Sequence, residues 1–407
     1  MEKWEREFLR DMAKEKLELS QTDWMKSRVE GWTALNDRKS RKPMIHFEMG
    51  TVGTPGFQYE CKCTSPDARS FEWSMGSEMQ NYKMVGDDRA VTDDFFVGNG
   101  FWIKPFAMNL KKTHTDGVGF HIDPVVETLD DLDFIKPSPM GFDGESLPRT
   151  MALTQDTFGD ILEVKEGMGG LYCCPTSFLV HMMGMENMFV EMIANPDNFH
   201  EMIDRLTDDY VTHFRLVEEK GLLIPCNGNN WVAQGTFAFT NDLPGKLDRP
   251  HKLTEVWGFM DSQETVNISP DMFNEFIFPY YKKIADLYGL LSYGCCEPVH
   301  SFWEKSLSKL TNLRKISISP WCDEEYMGEE LRKRDVIFQR KPSPLYVSED
   351  GAFNEEGWRK HVIKTVKASR GGRLEFTFRD IYKTGGDPHR PRRAVEIVRD
   401  VIDREWE

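Results

Sequence analysis

The sequence predicts an α/β fold, a closed (β/α)8 TIM barrel with an N-terminal helical extension. Three observations predict it. From about residue 195 to the end, helix-period runs alternate with short strand-like runs over brief connections, the pattern of a mostly parallel sheet. The alternation is uninterrupted, which favours one barrel over two doubly wound domains. The reactive side chains also fall just after the strand-like runs, where a barrel carries its chemistry. Residues 1–407 are therefore expected to form a single domain, with 1–39 as the extension.

Residues 1–39 read as polar helix, with Trp4, Phe8, Met12 and Leu17 forming a loose apolar stripe. Lys42 to Gly50 reads as the first buried strand, ending in a loop. From there to about residue 150, Gly, Pro, Asp and aromatic residues dominate, and long loops are expected. Asn195-Pro196-Asp197 opens a helix whose stripe runs from Phe199 to Val217 and stops at Gly221. Leu222 to Cys226 follows as a short strand. Ser269-Pro270-Asp271 repeats the same punctuation before a helix that stops at Gly289, with a kink expected at Pro279. Leu290–Gly294 is the next strand, and Phe302–Leu310 the next helix. Strands are expected at 313–320, 336–340 and 373–379, and helices at 324–332, 354–369 and from about 392 onward.

Composition narrows the function. The chain is 40% apolar and 29% charged, with a formal net charge of −16, so it lacks the basic footprint of a nucleic-acid or anionic-membrane partner. No run approaches the roughly 18–20 apolar residues of a membrane span. The charged opening Met1-Glu2-Lys3-Trp4 is unlike a secretory signal, and a cytoplasmic location is expected. The eight cysteines are then free core thiols or metal ligands.

The most informative stretch is Tyr293-Gly294-Cys295-Cys296-Glu297-Pro298-Val299-His300. It sets two thiols and a carboxylate in one turn at a strand end, and deprotonated thiols and carboxylates are good zinc ligands. His46 and Glu48 are two apart, hence on one strand face, and a buried carboxylate there needs a partner. Asp261 and Glu264 sit in a polar loop. Trp321 and Asp323 follow Pro320, and Asp380 follows Arg379. Met182, in Met182-Met183-Gly184-Met185, reads as core or as cleft lining suited to a flat apolar ring.

Several segments together resemble the uroporphyrinogen decarboxylase superfamily. Ser269 to Tyr281 is similar to its "SPxxFxxFxxPY" helix opening, and Tyr293 to Glu297 stands where relatives carry a His-x-Cys-Gly turn. Ala34 to Pro43 resembles its "ALxxxxxDRxP" entry into the first strand. True decarboxylases of the family use arginines on an early loop, whereas His46 to Thr54 contains none. The chain is more similar to the branch of zinc-dependent methyltransferases that exchange a methyl group with a corrinoid protein. That resemblance implies a metal site drawn from Cys295, Cys296, Glu297 and Asp380, with Gly294 in the place of the relatives' histidine. It implies His46, Glu48, Asp261 and Glu264 as proton-transfer groups, and Trp321, Asp323 and Met182 as substrate contacts. Zinc, a corrinoid (cobalamin) on a partner protein and a small methylated substrate, such as a methoxylated aromatic, are the implied cofactors and partners. A homodimer is left open. The alternatives are a metal-free decarboxylase or lyase on the same barrel, and a non-catalytic corrinoid- or ligand-binding relative.

Overall fold

The computed structural model describes residues 1–98, 100–110, 112–114, 120–167 and 170–406. Its centre is a seven-stranded parallel sheet. The strands are numbered in chain order: β1 (Met44–Phe47), β2 (Asp94–Gly98), β3 (Glu163–Gly167), β4 (Leu171–Cys173), β5 (Trp231–Ala233), β6 (Thr236–Phe237), β7 (Trp257–Met260), β8 (Leu290–Tyr293), β9 (Leu313–Ile318), β10 (Ile337–Arg340) and β11 (Leu374–Phe378). The sheet order is β1-β11-β10-β9-β8-β7-β4, so from β4 onward each strand of this sheet lies beside the sheet strand before it, and the last returns to the first. This is the winding of a TIM-barrel-like fold, but among the described residues the ladder runs from β4 round to β1 without closing.

The opening has a physical cause. The free edge of β1 is satisfied by side chains instead of a strand: Ile45 N donates to Asp88 Oδ2 at 2.8 Å, and Phe47 N to Asp87 Oδ2 at 2.6 Å. Asn81 Nδ2 donates to Phe47 O at 3.0 Å. Buried backbone groups must be paired, and three polar side chains do here what another strand would do. Between the two edges lies the antiparallel hairpin β5–β6. Gly170 N, beside β4, donates to Trp231 O, while the rings of Trp231 and Phe237 pack on His46 of β1, at 6.3 and 4.9 Å between centroids.

Period-two alternation splits the strands into two faces. Outward, Ile45, Phe47, Ile316, Ile318, Phe338, Phe376 and Phe378 join one large core with the covering helices, among them Glu355–Ser369 and Arg390–Glu405. Inward, the residues are polar. Lys315 Nζ lies 2.7 Å from Glu375 Oε2, both fully buried. Gln339 Nε2 donates to Glu375 Oε1 at 2.6 Å and to Thr236 Oγ1 at 3.1 Å, and Thr236 also meets Ser292 Oγ at 3.1 Å. The hairpin tip is thus tied to the concave face by hydrogen bonds.

A second cluster packs helices Lys3–Ser20, Pro66–Met84 and Ser146–Phe158 on the parallel pair β2–β3, around edge-on Phe71, Phe95 and Phe158. The segment after β1, rich in Gly and Pro, feeds this layer and adds no strand to the central sheet. Two expectations are corrected. Leu222–Cys226 forms no strand, because Pro225 removes an amide the ladder would need. The interruption at Pro279 is a π-helical turn, Phe273–Ile277, one turn earlier, where the missing amide frees a carbonyl.

Candidate active site at the strand C-termini

The turn after β8 is built on Gly294. Its φ of +98° is a left-handed conformation that a side chain disfavours, and a β-carbon there would lie 3.1 Å from Ser317 Cβ. Gly294 N donates to Met260 O at 2.8 Å, and its carbonyl accepts from Lys341 Nζ at 3.1 Å. The reversal brings Cys295 Sγ within 3.6 Å of Cys296 Sγ. Glu297 is drawn inward: Oε1 accepts from Ser262 N at 2.9 Å and Oε2 from Cys295 N at 2.8 Å. Its carboxylate closes the turn, and burial raises its pKa.

The two thiols are driven apart in acidity. The contact between the two sulfurs, in which either thiol can donate, pushes the Cys295 pKa up together with burial. The same contact lowers the pKa of Cys296, with the Lys341 ammonium adding to the effect. Cys296, the half-buried member of the pair, is therefore the more readily ionised thiol. Cys296 is expected to be alkylated first by iodoacetamide near neutral pH, roughly tenfold ahead of the other cysteines. Peptide mapping of the time course checks this, and Cys295→Ser should erase much of the lead.

Asp261, at the end of β7, is the second unusual group. Burial first, and then the charge of Glu297, push its pKa up to about 7. Its two carboxyl oxygens lie 3.5 Å from Tyr172 Oη and from Gln234 Nε2, long contacts that leave both open to a ligand. Its carbonyl accepts from Cys174 Sγ at 3.1 Å and Tyr281 Oη at 2.9 Å, which fixes the loop. Glu264 stands beside it with Oε2 accepting from Thr176 Oγ1 at 2.8 Å.

The other expected residues fall in different places. His46 is fully buried, with Nδ1 3.2 Å from Asp87 Oδ2 and Nε2 without a partner among the described residues. Glu48 Oε2 accepts from Arg379 Nε at 2.6 Å, which leaves Glu48 Oε1 and Arg379 Nη1 buried and, among the described residues, unpaired. Trp321 stands on the rim, 66% exposed. Asp323 caps helix Glu324–Arg334, accepting from Glu325 N and Tyr326 N, and is not a free contact. Met182 is fully buried in the main core, and its carbonyl accepts the amides of Val125 and Val126, so it cannot touch a ligand. Asp380 takes a φ of +55°, and its charge opposes ionisation of Cys296.

Of the four expected metal ligands, the structure brings together Cys295 and Cys296. Among the described residues, no group of three or more His, Cys, Asp or Glu side chains is arranged to hold a metal ion. The set does not fit a catalytic zinc site, which uses three protein ligands.

Four site residues escaped the sequence reading: Tyr172, Gln234, Lys341 and Arg379. Strand parity was the available signal for two of them, since Lys341 and Arg379 lie on the face of Gln339 and Thr377. Gln234 had none, because its position depends on a two-residue tip with φ of +52° and +84°. A separate cavity of about 480 Å³ lies between β2–β3 and residues 224–230. It is lined by no cysteine or histidine, and its Lys165 is already paired with Asp94 and Glu163. The strand-end cluster is the better candidate.

No family model and no curated protein matches the chain. Among solved structures it is similar to a methyltransferase from Methanosarcina mazei, with a TM-score of 0.51 and 12% identity, over 92% of this chain and 98% of that one. At that identity the likeness shows a shared fold, carried over nearly the whole of both chains.

Proposed function

We propose that this chain is a methyltransferase that moves a methyl group between a small methylated substrate, an aryl methyl ether by preference, and a corrinoid carried by a partner protein. One observation carries the reading: a thiol held toward thiolate and a carboxyl poised near neutrality share the C-terminal ends of β7 and β8. The likeness to a methyltransferase of the same fold supports it, as does a rim of exposed aromatic side chains, Tyr172, Trp321 and Tyr382, suited to a flat partner.

The corrinoid supplies the cobalt that exchanges the methyl group. The chain supplies the proton. An oxygen that loses its methyl develops negative charge, and Asp261, with a pKa of about 7, holds a proton it can donate there. Tyr172 and Gln234 orient that carboxyl, while Glu297 keeps it from ionising early. Cys295 and Cys296 offer a zinc ion two ligands, one short of a catalytic site among the described residues, and no step runs through it. Metal analysis of the protein with and without Cys296→Ser tests that part separately.

The test of the main reading is release of the demethylated phenol when the protein is mixed with a reduced corrinoid protein and a methyl ether such as anisole or 4-methoxybenzoate. Asp261→Asn is expected to lower the rate by about 10²- to 10⁴-fold. No release from any methyl ether, thioether or methylamine would overturn it. Loss of carbon dioxide from a carboxylic acid without corrinoid would favour a lyase instead, a reading supported by the same raised carboxyl and the missing third metal ligand.

A further inference from the structure

Lys341 stands apart from the other buried cations of the sheet. Lys315, on the concave face, is paired with Glu375, and Arg340, on the outward face, with Glu324. Lys341 is only 5% exposed, yet among the described residues its one hydrogen bond is to the carbonyl of Gly294, and it forms no ion pair. An ammonium carries three donors, so two are unused here, and a buried charge in that state is costly until a partner arrives. Arg379 is incomplete in the same way, with Nη1 buried and unpaired while Nε serves Glu48.

The two cations are neighbours by construction. Lys341 follows the last residue of β10 and Arg379 the last of β11, adjacent strands in the sheet. Both lie on the inward face. Strands about 4.8 Å apart and a two-residue repeat of about 6.7 Å set their Cα atoms on the order of 8 Å apart. Glu48 is already committed to Arg379, and the Asp380 charge acts on Arg379 as well, so Lys341 is the cation left for an anion.

We propose that Lys341, with Arg379 beside it, binds a carboxylate carried by the substrate, so that the molecule accepted is an aromatic acid and not a neutral ether. The proposal rests on the methyl-transfer reading for the fate of the substrate, but not for its binding.

Calorimetric titration with benzoate and with benzamide, which share a ring and differ in charge, tests it. The wild-type protein is expected to bind benzoate at least tenfold more tightly than benzamide. Lys341→Met should lose most of that preference, with its circular dichroism and unfolding midpoint reporting a folded chain. Lys341→Arg should keep the preference. Equal affinity for the two probes, no detectable benzoate binding, or a Lys341→Met variant with unchanged benzoate affinity would overturn the proposal. Charge-selective binding with no demethylation of any methyl ether, thioether or methylamine would keep this subsite and remove the methyl-transfer reading. Turnover of anisole in preference to 4-methoxybenzoate would do the reverse.

Discussion

Replacing Asp261 by asparagine is expected to stabilise the fold at pH 8, leave it unchanged at pH 4, and remove turnover. The sign follows from the direction of the shift. A carboxyl ordinarily near 3.8 is raised to about 7 in the folded chain, so between those values the native state holds a proton that the unfolded state has released. Stability therefore falls as pH rises through that window, by up to about 1.4 kcal/mol for each pH unit. The penalty is complete above pH 7, where it amounts to at most about 4 kcal/mol, and absent below 4. Asparagine has the same shape, keeps the contacts to Tyr172 and Gln234, and carries no charge to bury. Urea unfolding of both proteins at the two pH values measures the difference. A gain of equal size at both would mean that ionisation of Asp261 is not its source. A residue whose removal stabilises the fold while ending activity has been held in place by function.

That position was legible from sequence in part. The polar loop after a strand marked Asp261 and Glu264, and the Gly294 turn marked the thiols. The second half of the fold was equally legible, because its signals are local. Asn354 caps helix Glu355–Ser369 by accepting from Gly357 N, Ser269 caps the helix after it, and Pro196 opens Pro196–Glu219, each with a stripe behind it. The first half carries such signals for two helices, Thr22 before Asp23–Asn36 and Ser65-Pro66-Asp67 before Pro66–Met84, but none for the strand edge. Whether Asp87 and Asp88 close a strand edge depends on contacts across 40 residues of chain, which no periodicity reports. The hairpin β5–β6 is too short for a pattern to emerge. Met182 failed for a different reason: a methionine stripe reads alike in a core and in a cleft, and only packing decides. Asp323 could have been read correctly, since an aspartate directly before Glu324-Glu325 is an ordinary helix cap.

The largest loss of stability is expected from breaking the Lys315–Glu375 pair. Both side chains are fully buried 2.7 Å apart, with the ammonium 5.8 and 6.0 Å from the ring centroids of Trp32 and Trp257. Lys315→Met would leave the Glu375 carboxylate without its counter-charge, at a cost of about 3–5 kcal/mol. Glu375→Leu would strand the ammonium at a similar cost. The double variant Lys315→Met/Glu375→Leu removes both charges together, and most of the loss should return. A double variant as unstable as the sum of its parts would show that the two do not act as a pair. Recovery would be incomplete in one place. Glu375 also holds Gln339, which holds Thr236 at the hairpin tip, so a stable double variant should still exchange the amides of residues 231–237 faster than the wild type. That tip carries Gln234, which reaches both Asp261 and Cys295. The buried pair thus contributes less to holding the sheet together, for which apolar residues would serve as well, than to fixing the hairpin that completes the site.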